Sequence, residues 1–490
     1  MPWRLRLRAP DGREVLTAAF AAIATAFIIL AAHRKLDATL ALMAPLALTL
    51  VVIVLMRPLL AVTIALVVPI LLEGASFGLF TTVAHVYDPF YKRITPVDAL
   101  VVLAVASVAL DMLRERRPLR YPRELRFPHI LLALGMLCGI AVGKSAGSSG
   151  LKSLVLAENL IAYLLVVPVA VANLNVGSRR LQRVLVGLFG LAVFKAFVGL
   201  VEVGAHKGVS IEGTANLTYY EPTANWVIMV ALLAIVAAVV ARLRPPLWML
   251  LGTPLLIASL VLSYRRSFWI AAVLGVLLVV LLALSPVGRR LLVPTALFVA
   301  AGIWLLGSIN FQSQSPLVKR AASLSPTSLT TNVEDRYRID ERANVWGEIK
   351  EKPITGLGIN VSWNSSKRPL PVEHEEAREY VHFAALWWWM KMGILGLLAY
   401  VALLIATARL SWRVWRERTE PVFRVFGLGS LCAVAGLLVA ETTATFTGAE
   451  LRFTIVFAIQ IGLLALIASL PQAEVEPEEP ADGELVGAPV

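Results

Sequence analysis

Long apolar segments constrain this chain more than any other feature. Of its 490 residues, 58% are hydrophobic and only 16% are charged, whereas a soluble domain is closer to half apolar and a quarter charged. A membrane-spanning helix needs about 20 mostly apolar residues. Fourteen segments qualify, with approximate cores at 15–32, 38–56, 59–76, 96–113, 129–146, 153–174, 181–203, 222–241, 246–263, 267–284, 290–309, 382–407, 422–441 and 451–470. The sequence therefore predicts an all-α, polytopic membrane helix bundle of about 12–14 spans.

Basic loops indicate how these segments are oriented, because cytoplasmic loops of membrane proteins are enriched in Lys and Arg. The basic loops are 114–126, 177–183, 241–246, 288–290 and 409–418. All five fall on one side if there are fourteen spans and the N-terminus is cytoplasmic. This pattern also accounts for the net charge of +12, so no nucleic-acid partner is expected. The first apolar segment reads as an uncleaved span rather than a signal peptide.

One long loop lies on the opposite, extracytoplasmic side. Residues 310–381 hold ten basic and ten acidic residues, which predicts a small, mostly helical cap rather than a simple connector. The predicted domains are a transmembrane bundle at 1–309, the cap at 310–381, further transmembrane helices at 382–470 and a disordered cytoplasmic tail at 471–490. Cys138 and Cys432 lie in apolar segments and predict neither a disulfide framework nor a metal cluster.

Two arginines depart from the positive-inside pattern. Arg265 and Arg266, in the sequence Tyr-Arg-Arg-Ser, stand between two spans on the predicted outer side. A guanidinium group offers a planar fork of donors that matches phosphate oxygens. The alternative is that both side chains extend to lipid headgroups. Their position on the outer side favours a functional role.

The cap sequence 334–358 predicts a helix followed by a tight turn. Pro353 and the Gly356-x-Gly358 pair end the helix, and Arg342 lies one turn beyond Arg338. The alternative is a surface helix with internal salt bridges. The predicted stripe of this helix consists of Arg338, Glu341, Asn344, Val345 and Ile349.

His382 and Lys391 stand in the span that follows the cap. His382 is at its mouth, and an imidazole there can accept or hold a proton near neutral pH, although a lone interfacial histidine is more often structural. Lys391 lies nine residues deeper. A lysine at this depth is expected to pair with a carboxylate or face an aqueous cavity.

Taken together, these blocks resemble the O-antigen ligase and polymerase superfamily of bacterial envelope proteins. The first block is "LSYRRSFWIAAVLGVLLVVL", and the second is Arg338-x-x-Glu341-x-x-Asn344 leading to "KPITGLG". The third is His382 followed by Gly393 and Gly396. The resemblance covers about 220–410. Phe383 stands where the family usually has asparagine, and Lys391 where it often has an acidic residue.

The resemblance implies a GT-C-like enzyme in the bacterial cytoplasmic (inner) membrane, with both termini cytoplasmic. Its donor would be a glycan on undecaprenyl diphosphate, and its acceptor a sugar hydroxyl on a lipid or glycan at the outer face. Neither a metal nor a cofactor is expected. His382 and Arg338 are the expected catalytic residues, and Arg265, Arg266 and Arg342 the diphosphate-binding residues. Glu341 and Lys391 are expected to support them.

Two other functions fit parts of the sequence. A lipid-linked glycan flippase or polysaccharide exporter would also have many spans and intramembrane charges. It would not need a large structured loop, and such transporters usually show related halves, which this sequence lacks. A non-catalytic subunit of polysaccharide assembly is a third possibility. The sequence does not distinguish a ligase from a polymerase, because both use the same donor chemistry.

Overall fold

The computed structural model of the protein describes residues 49–72, 95–148, 160–205, 217–219, 221–283, 333–365, 367–370 and 378–471. These ranges contain helices joined by turns and loops. In chain order the helices are α1 Thr49–Leu55, α2 Pro58–Leu71, α3 Pro96–Arg114, α4 Arg123–Ser145, α5 Leu160–Ala172, α6 Ser178–Gly204, α7 Pro222–Val240, α8 Leu247–Val261, α9 Arg266–Ala283, α10 Val333–Glu351, α11 Ala384–Glu417, α12 Pro421–Ala440 and α13 Leu451–Ser469.

The predicted class, a polytopic helical membrane protein, is confirmed. Eight helices in the described ranges are long and apolar enough to cross a membrane, and each coincides with a predicted segment: α3, α4, α6, α7, α9, α11, α12 and α13. The described part of the segment predicted at 153–174 forms α5, of 13 residues, and residues 153–159 lie outside the described residues. The segment predicted at 246–263 forms the shorter apolar helix α8, of 15 residues. Segments 15–32 and 290–309, and most of 38–56, lie outside the described residues.

The described parts of the segments predicted at 38–56 and 59–76 are α1 and α2, which form a bent pair. Residues 38–48 and 73–76 lie outside the described residues, so two full spans here stay a prediction. The axes of α1 and α2 differ by 110° across the break at 56–57. Pro58 starts α2, and a proline disfavours helical backbone at the residue before it, which ends α1. The 14 residues of α2 cover only about 21 Å, less than the ~30 Å hydrocarbon core.

The centre of the bundle is formed by α7, α12 and α13. Their sequences are apolar on all sides, which fits helices surrounded by other helices. Small residues allow close approach between them: Gly429 of α12 lies against Ala234 of α7, and Gly436 lies against Ala271 of α9. Such packing holds helices together where no water is present to drive association.

The predicted span 382–407 is present, with a break that the sequence prediction did not include. Within α11, Gly393 has φ 64° and ψ −159°, outside the helical region. Glycine accepts this backbone conformation at little steric cost. A Cβ at Gly393 would lie 2.0 Å from the carbonyl oxygen of Ile354. The break therefore depends on having no side chain at this position.

The turn after α10 fills the break in α11. Both glycines of the predicted Gly-x-Gly turn have positive φ, 66° and 102°, which confirms the tight turn. The amide of Leu357 donates to the carbonyl of Met390 (2.8 Å), and the amide of Ile394 donates to the carbonyl of Ile354 (3.1 Å). The cap and α11 thus satisfy backbone groups that the break would leave unpaired.

The predicted cap helix is α10. Its predicted stripe is buried at Glu341, Asn344, Val345 and Ile349, while Arg338 lies at the edge of the stripe. The Oδ1 atom of Asn344 accepts from the amides of Lys367 and Arg368 (3.0 and 2.7 Å), so α10 holds the returning chain against its buried face. Residues 310–332 and 371–377 of the cap lie outside the described residues.

Candidate active site

The candidate site lies where α10 meets one end of the bundle. The turn 262–265, the segment 378–383 and the turn 441–450 surround this end of α10, as the contacts below show. Together these elements gather six of the seven predicted site residues: Arg265, Arg266, Arg338, Glu341, Arg342 and His382. Residues far apart in sequence therefore form one cluster.

Glu341 and His382 form the centre of the cluster. The Nδ1 atom of His382 lies 3.1 and 3.2 Å from the two carboxylate oxygens of Glu341, and the amide of His382 donates to the same carboxylate at 2.8 Å. The Glu341 side chain has 0% exposure, whereas that of His382 has 27%. A buried carboxylate that accepts the Nδ1 proton orients the ring and leaves Nε2 with its lone pair.

Two tyrosines hold the His382 ring edge-on. The ring centroid of Tyr380 lies 4.9 Å away and that of Tyr337 6.0 Å away, both at 89°. The Tyr380 hydroxyl donates to the Thr445 carbonyl at 2.9 Å and accepts from the Thr445 amide at 2.7 Å. Burial raises the pKa of both tyrosines, so they remain neutral. The imidazole is therefore fixed on three sides by neutral rings and the Glu341 carboxylate.

Arg266 and Arg338 share one carboxylate. Asp335, near the start of α10, accepts two hydrogen bonds from Arg266 at 2.9 and 3.0 Å. Arg338 lies one turn further along, with its Nη1 atom 3.5 Å from the same carboxylate. The ion pair of Arg266 joins the start of α9 to α10. Arg338 makes the longer contact, and its side chain is more exposed than that of Arg266, at 23% against 12%.

Arg265 stands in the turn between α8 and α9. Tyr264 before it has φ 53°, which lets the chain reverse within four residues. The guanidinium of Arg265 lies over the ring of Phe446, 5.6 Å from its centroid, and its charge acts on the Tyr380 hydroxyl. Tyr380 also contacts the His382 ring, so this tyrosine interacts with both Arg265 and the imidazole.

Arg342 links α10 to the ends of two spans. Its Nη2 atom donates to the carbonyls of His382, at 3.4 Å, and of Thr442. Its guanidinium lies 5.1 Å from the ring centroid of Phe383, a cation–π contact. Burial lowers the pKa of Arg342, but an arginine remains charged at neutral pH. Phe383, the departure from the family pattern, thus supports a site arginine.

Lys391 lies apart from this cluster. It follows His382 by nine residues, about 13 Å along a helix, and it is fully buried. Its Nζ atom donates to the carbonyl of Val361 at 3.4 Å. Lys391 therefore stands beside the junction between the cap turn and α11, and a supporting role for it remains a prediction.

The cluster carries an excess of positive charge. Four guanidinium groups, at positions 265, 266, 338 and 342, stand in the cluster with the carboxylates of Asp335 and Glu341, and the buried Glu441 lies in the adjoining turn. Such an arrangement attracts and holds a polyanion such as a diphosphate. Within the described ranges, no three His, Cys, Asp or Glu side chains form a group that could hold a metal ion.

The turn between α12 and α13 also contributes to the site, although none of its residues is among the predicted site residues. Glu441, at its start, is buried and accepts from the Tyr400 hydroxyl at 2.6 Å and the Thr447 amide at 2.6 Å. This fixes the turn that supplies the Thr442 carbonyl and the Phe446 ring to the site. A carboxylate at the end of an apolar run was the available signal. Nothing in the local sequence marks Thr442 or Phe446, because their role arises from contacts across the fold.

Part of the chain matches a known protein family. Residues 251–401 match the family model described as O-antigen ligase. This segment belongs to the O-antigen ligase and polymerase superfamily. The O-antigen ligase domain includes most of α8, all of α9 and α10, and α11 as far as Val401. It therefore contains the six clustered residues but not the turn 441–450. No curated protein matches the chain.

The O-antigen ligase domain gives the chain a role in glycan transfer of the ligase or polymerase type. Together with the apolar helices, it identifies a multi-pass membrane protein with a glycosyltransferase-like activity. The matched segment 251–401 contains the four clustered arginines, Glu341 and His382.

Proposed function

We propose that the protein transfers a glycan from an undecaprenyl-diphosphate carrier to a sugar hydroxyl on a lipid- or glycan-linked acceptor. The reaction takes place at the outer face of a bacterial cytoplasmic membrane, where the cap 310–381 meets the helices of 382–470. The observation that most supports this proposal is the contact between the buried Glu341 carboxylate and His382 Nδ1, beside four guanidinium groups. A fixed base next to fixed positive charge suits a reaction in which a hydroxyl displaces a diphosphate.

The acceptor side of this reaction depends on His382. The acceptor hydroxyl oxygen attacks the anomeric carbon from the face opposite the diphosphate, so the configuration inverts. Its proton passes to Nε2 of His382 as the new glycosidic bond forms. Glu341 holds the ring and compensates the positive charge that develops on the imidazole. The imidazolium then releases the proton to solvent.

The donor side depends on the arginines. The bond between the anomeric carbon and the phosphate oxygen breaks, and its electron pair stays with the diphosphate. Arg338, Arg342 and Arg265 are placed to neutralise this growing charge. Arg266, which holds Asp335 with two hydrogen bonds, keeps α10 next to the turn and contributes to the local field. The guanidinium groups supply the positive charge, so we propose that no metal is needed.

The test is transfer by the purified full-length protein in detergent, with a lipid-diphosphate donor and a sugar acceptor. We expect product in the presence of EDTA, and loss of product in His382→Ala and in Arg338→Ala while both variants remain abundant. Donor crossing a liposome membrane without any product would support an exporter instead. Activity that EDTA abolishes and Mg²⁺ restores would overturn metal independence.

A further inference from the structure

Helix α10 has two apolar faces, and among the described residues only one of these faces is buried. Tyr337, Val345 and Ile349 are buried against the bundle. On the opposite side, Ile339 and Trp346 are 42% and 40% exposed. These two residues are seven apart and lie within about 20° of each other around the helix axis. An apolar stripe of this kind on an otherwise polar helix marks a surface that avoids water.

The exposed stripe continues through the cap turn onto a membrane span. Ile354 is 72% exposed, and its carbonyl accepts from the amide of Ile394 in α11 at 3.1 Å. Further along α11, three apolar residues at spacings of three and four form an exposed stripe that faces lipid: Leu398, Val401 and Ile405, at 47%, 43% and 48% exposure. The exposed apolar residues of the cap turn therefore adjoin, through this backbone contact, a span that has an exposed apolar stripe of its own.

The length of α11 locates this stripe relative to the bilayer. The ring of Trp346 lies edge-on to that of Trp389, with centroids 5.5 Å apart. Arg409, an exposed residue of a basic loop, follows the break at Gly393 by 16 residues, about 24 Å of helix. Trp389 lies four residues before the break, so the segment between Trp389 and Arg409 covers most of the ~30 Å hydrocarbon core. The tryptophan pair thus lies at the opposite membrane boundary, where tryptophan is enriched.

We propose that α10 is an interfacial helix whose stripe of Ile339, Trp346 and Ile354 lies in the boundary between headgroups and acyl chains of the phospholipid leaflet. The basic residue on this face agrees with such a position. The Nζ atom of Lys350 lies 5.5 Å from the Trp346 ring centroid, and a lysine at the boundary can extend its ammonium group to the phosphates.

This position gives the two flanks of α10 different surroundings. Arg338 and Arg342 lie roughly 60–100° to one side of the stripe, and Arg336 and Asp340 lie at similar angles on the other. The arginine flank faces the ends of the spans, since Arg342 contacts the carbonyls of His382 and Thr442. On the proposed function, a lipid-linked diphosphate reaches these arginines while its chain stays in the leaflet.

Spin-label accessibility tests the membrane contact without any need for catalysis. Single cysteines replace Trp346, Ile354 or Arg336 in a full-length protein that also carries Cys138→Ser and Cys432→Ser. Each variant receives a nitroxide and is placed in a lipid bilayer. We expect labels at 346 and 354 to collide more with oxygen, which concentrates in the bilayer, than with a water-soluble nickel complex. The label at 336, on the polar flank, should show the reverse order.

Two results would overturn the proposal. Labels at 346 and 354 that collide with the nickel complex as often as the label at 336 would place the stripe in water. Labels that neither reagent reaches would place it under protein. Neither result would bear on glycan transfer, so the failure of this inference is distinguishable from failure of the proposed function.

A kinetic comparison tests the consequence for the donor. Trp346→Glu should raise the KM for a long-chain lipid donor presented in the bilayer, whereas Trp346→Phe should leave it unchanged. With a short-chain, water-soluble diphosphate donor, the glutamate variant should keep the KM of the parent protein. An equal rise in KM for both donors would contradict delivery from the leaflet.

Discussion

At the residue scale, the contact between Glu341 and His382 leads to the sharpest prediction. In Glu341→Gln, the side-chain NH₂ group can donate a hydrogen bond to Nδ1, which favours the tautomer with its proton on Nε2 and removes the base. We expect kcat to fall by at least about 10²-fold, the contribution of a positioned general base, with little change in donor KM. Initial rates with purified protein measure both constants.

Glu348→Gln is the matched control for this change. Glu348 is on the same helix, and its carboxylate accepts from the amide of Asn364 at 2.6 Å, away from the imidazole. The Glu348→Gln variant should therefore keep kcat near the value of the parent protein. If the two glutamine variants had the same kcat, Glu341 would have no specific role in positioning His382.

The arginines of α10 give a second prediction at this scale. Arg342→Gln removes charge from the diphosphate side, so we expect kcat to fall by about 10²–10³-fold, as when one donor to a developing anion is lost. Arg336→Gln removes the same charge from the polar flank, where the side chain is 69% exposed, and should leave kcat unchanged. Assays at matched protein amounts compare the two. Equal losses would indicate a general charge effect rather than contact with the donor.

Among the elements, the break in α11 is where the cap turn packs against this helix. Whether the fold needs the break can be tested by measuring the stability of the protein. Gly393→Ala places a side chain at φ 64°, which costs about 1–2 kcal/mol for backbone strain alone, and its Cβ would overlap the Ile354 carbonyl. We expect a lower Tm and a loss of transfer. Gly190→Ala, inside α6 with no atom within 4 Å of the new Cβ, should keep or raise the Tm. A Gly393→Ala protein as stable as the parent would mean that the break is not needed.

The elements also show what the sequence could predict. Hydrophobic length located every span in the described ranges, because the bilayer imposes a fixed length on each. The helix α10 and its Gly-x-Gly turn were predictable from local patterns. The break at Gly393 was not, since a glycine inside an apolar run reads as helix until the turn 353–359 is seen to occupy its space. The sharing of Asp335 by Arg266 and Arg338 likewise depends on a contact between helices distant in the chain.

At the scale of the whole molecule, α4 fixes the distance between the site and the basic loops. Near its start, Glu124 pairs with Arg413 of the basic loop 409–418. Towards its other end, the Gly139 carbonyl accepts from the amide of Ile359 in the cap turn at 2.9 Å, and Gly143, about 28 Å along the helix from Glu124, lies against the backbone of Ile359. The 23 residues of α4 span about 34 Å, enough to cross the ~30 Å hydrocarbon core. The two sets of contacts therefore belong to opposite ends of the bundle.

This separation predicts opposite sidedness for the basic loops and the cap. Single cysteines replace Arg116, in the basic loop 114–126, or Arg336, on the polar flank of α10, after both native cysteines are changed to serine. Both positions are exposed. In intact cells, a membrane-impermeant maleimide should label position 336 but not position 116, and permeabilised cells should show both. Because cytoplasmic arginines hold the loops inside, labelling of both or of neither in intact cells would contradict a site on the outer face.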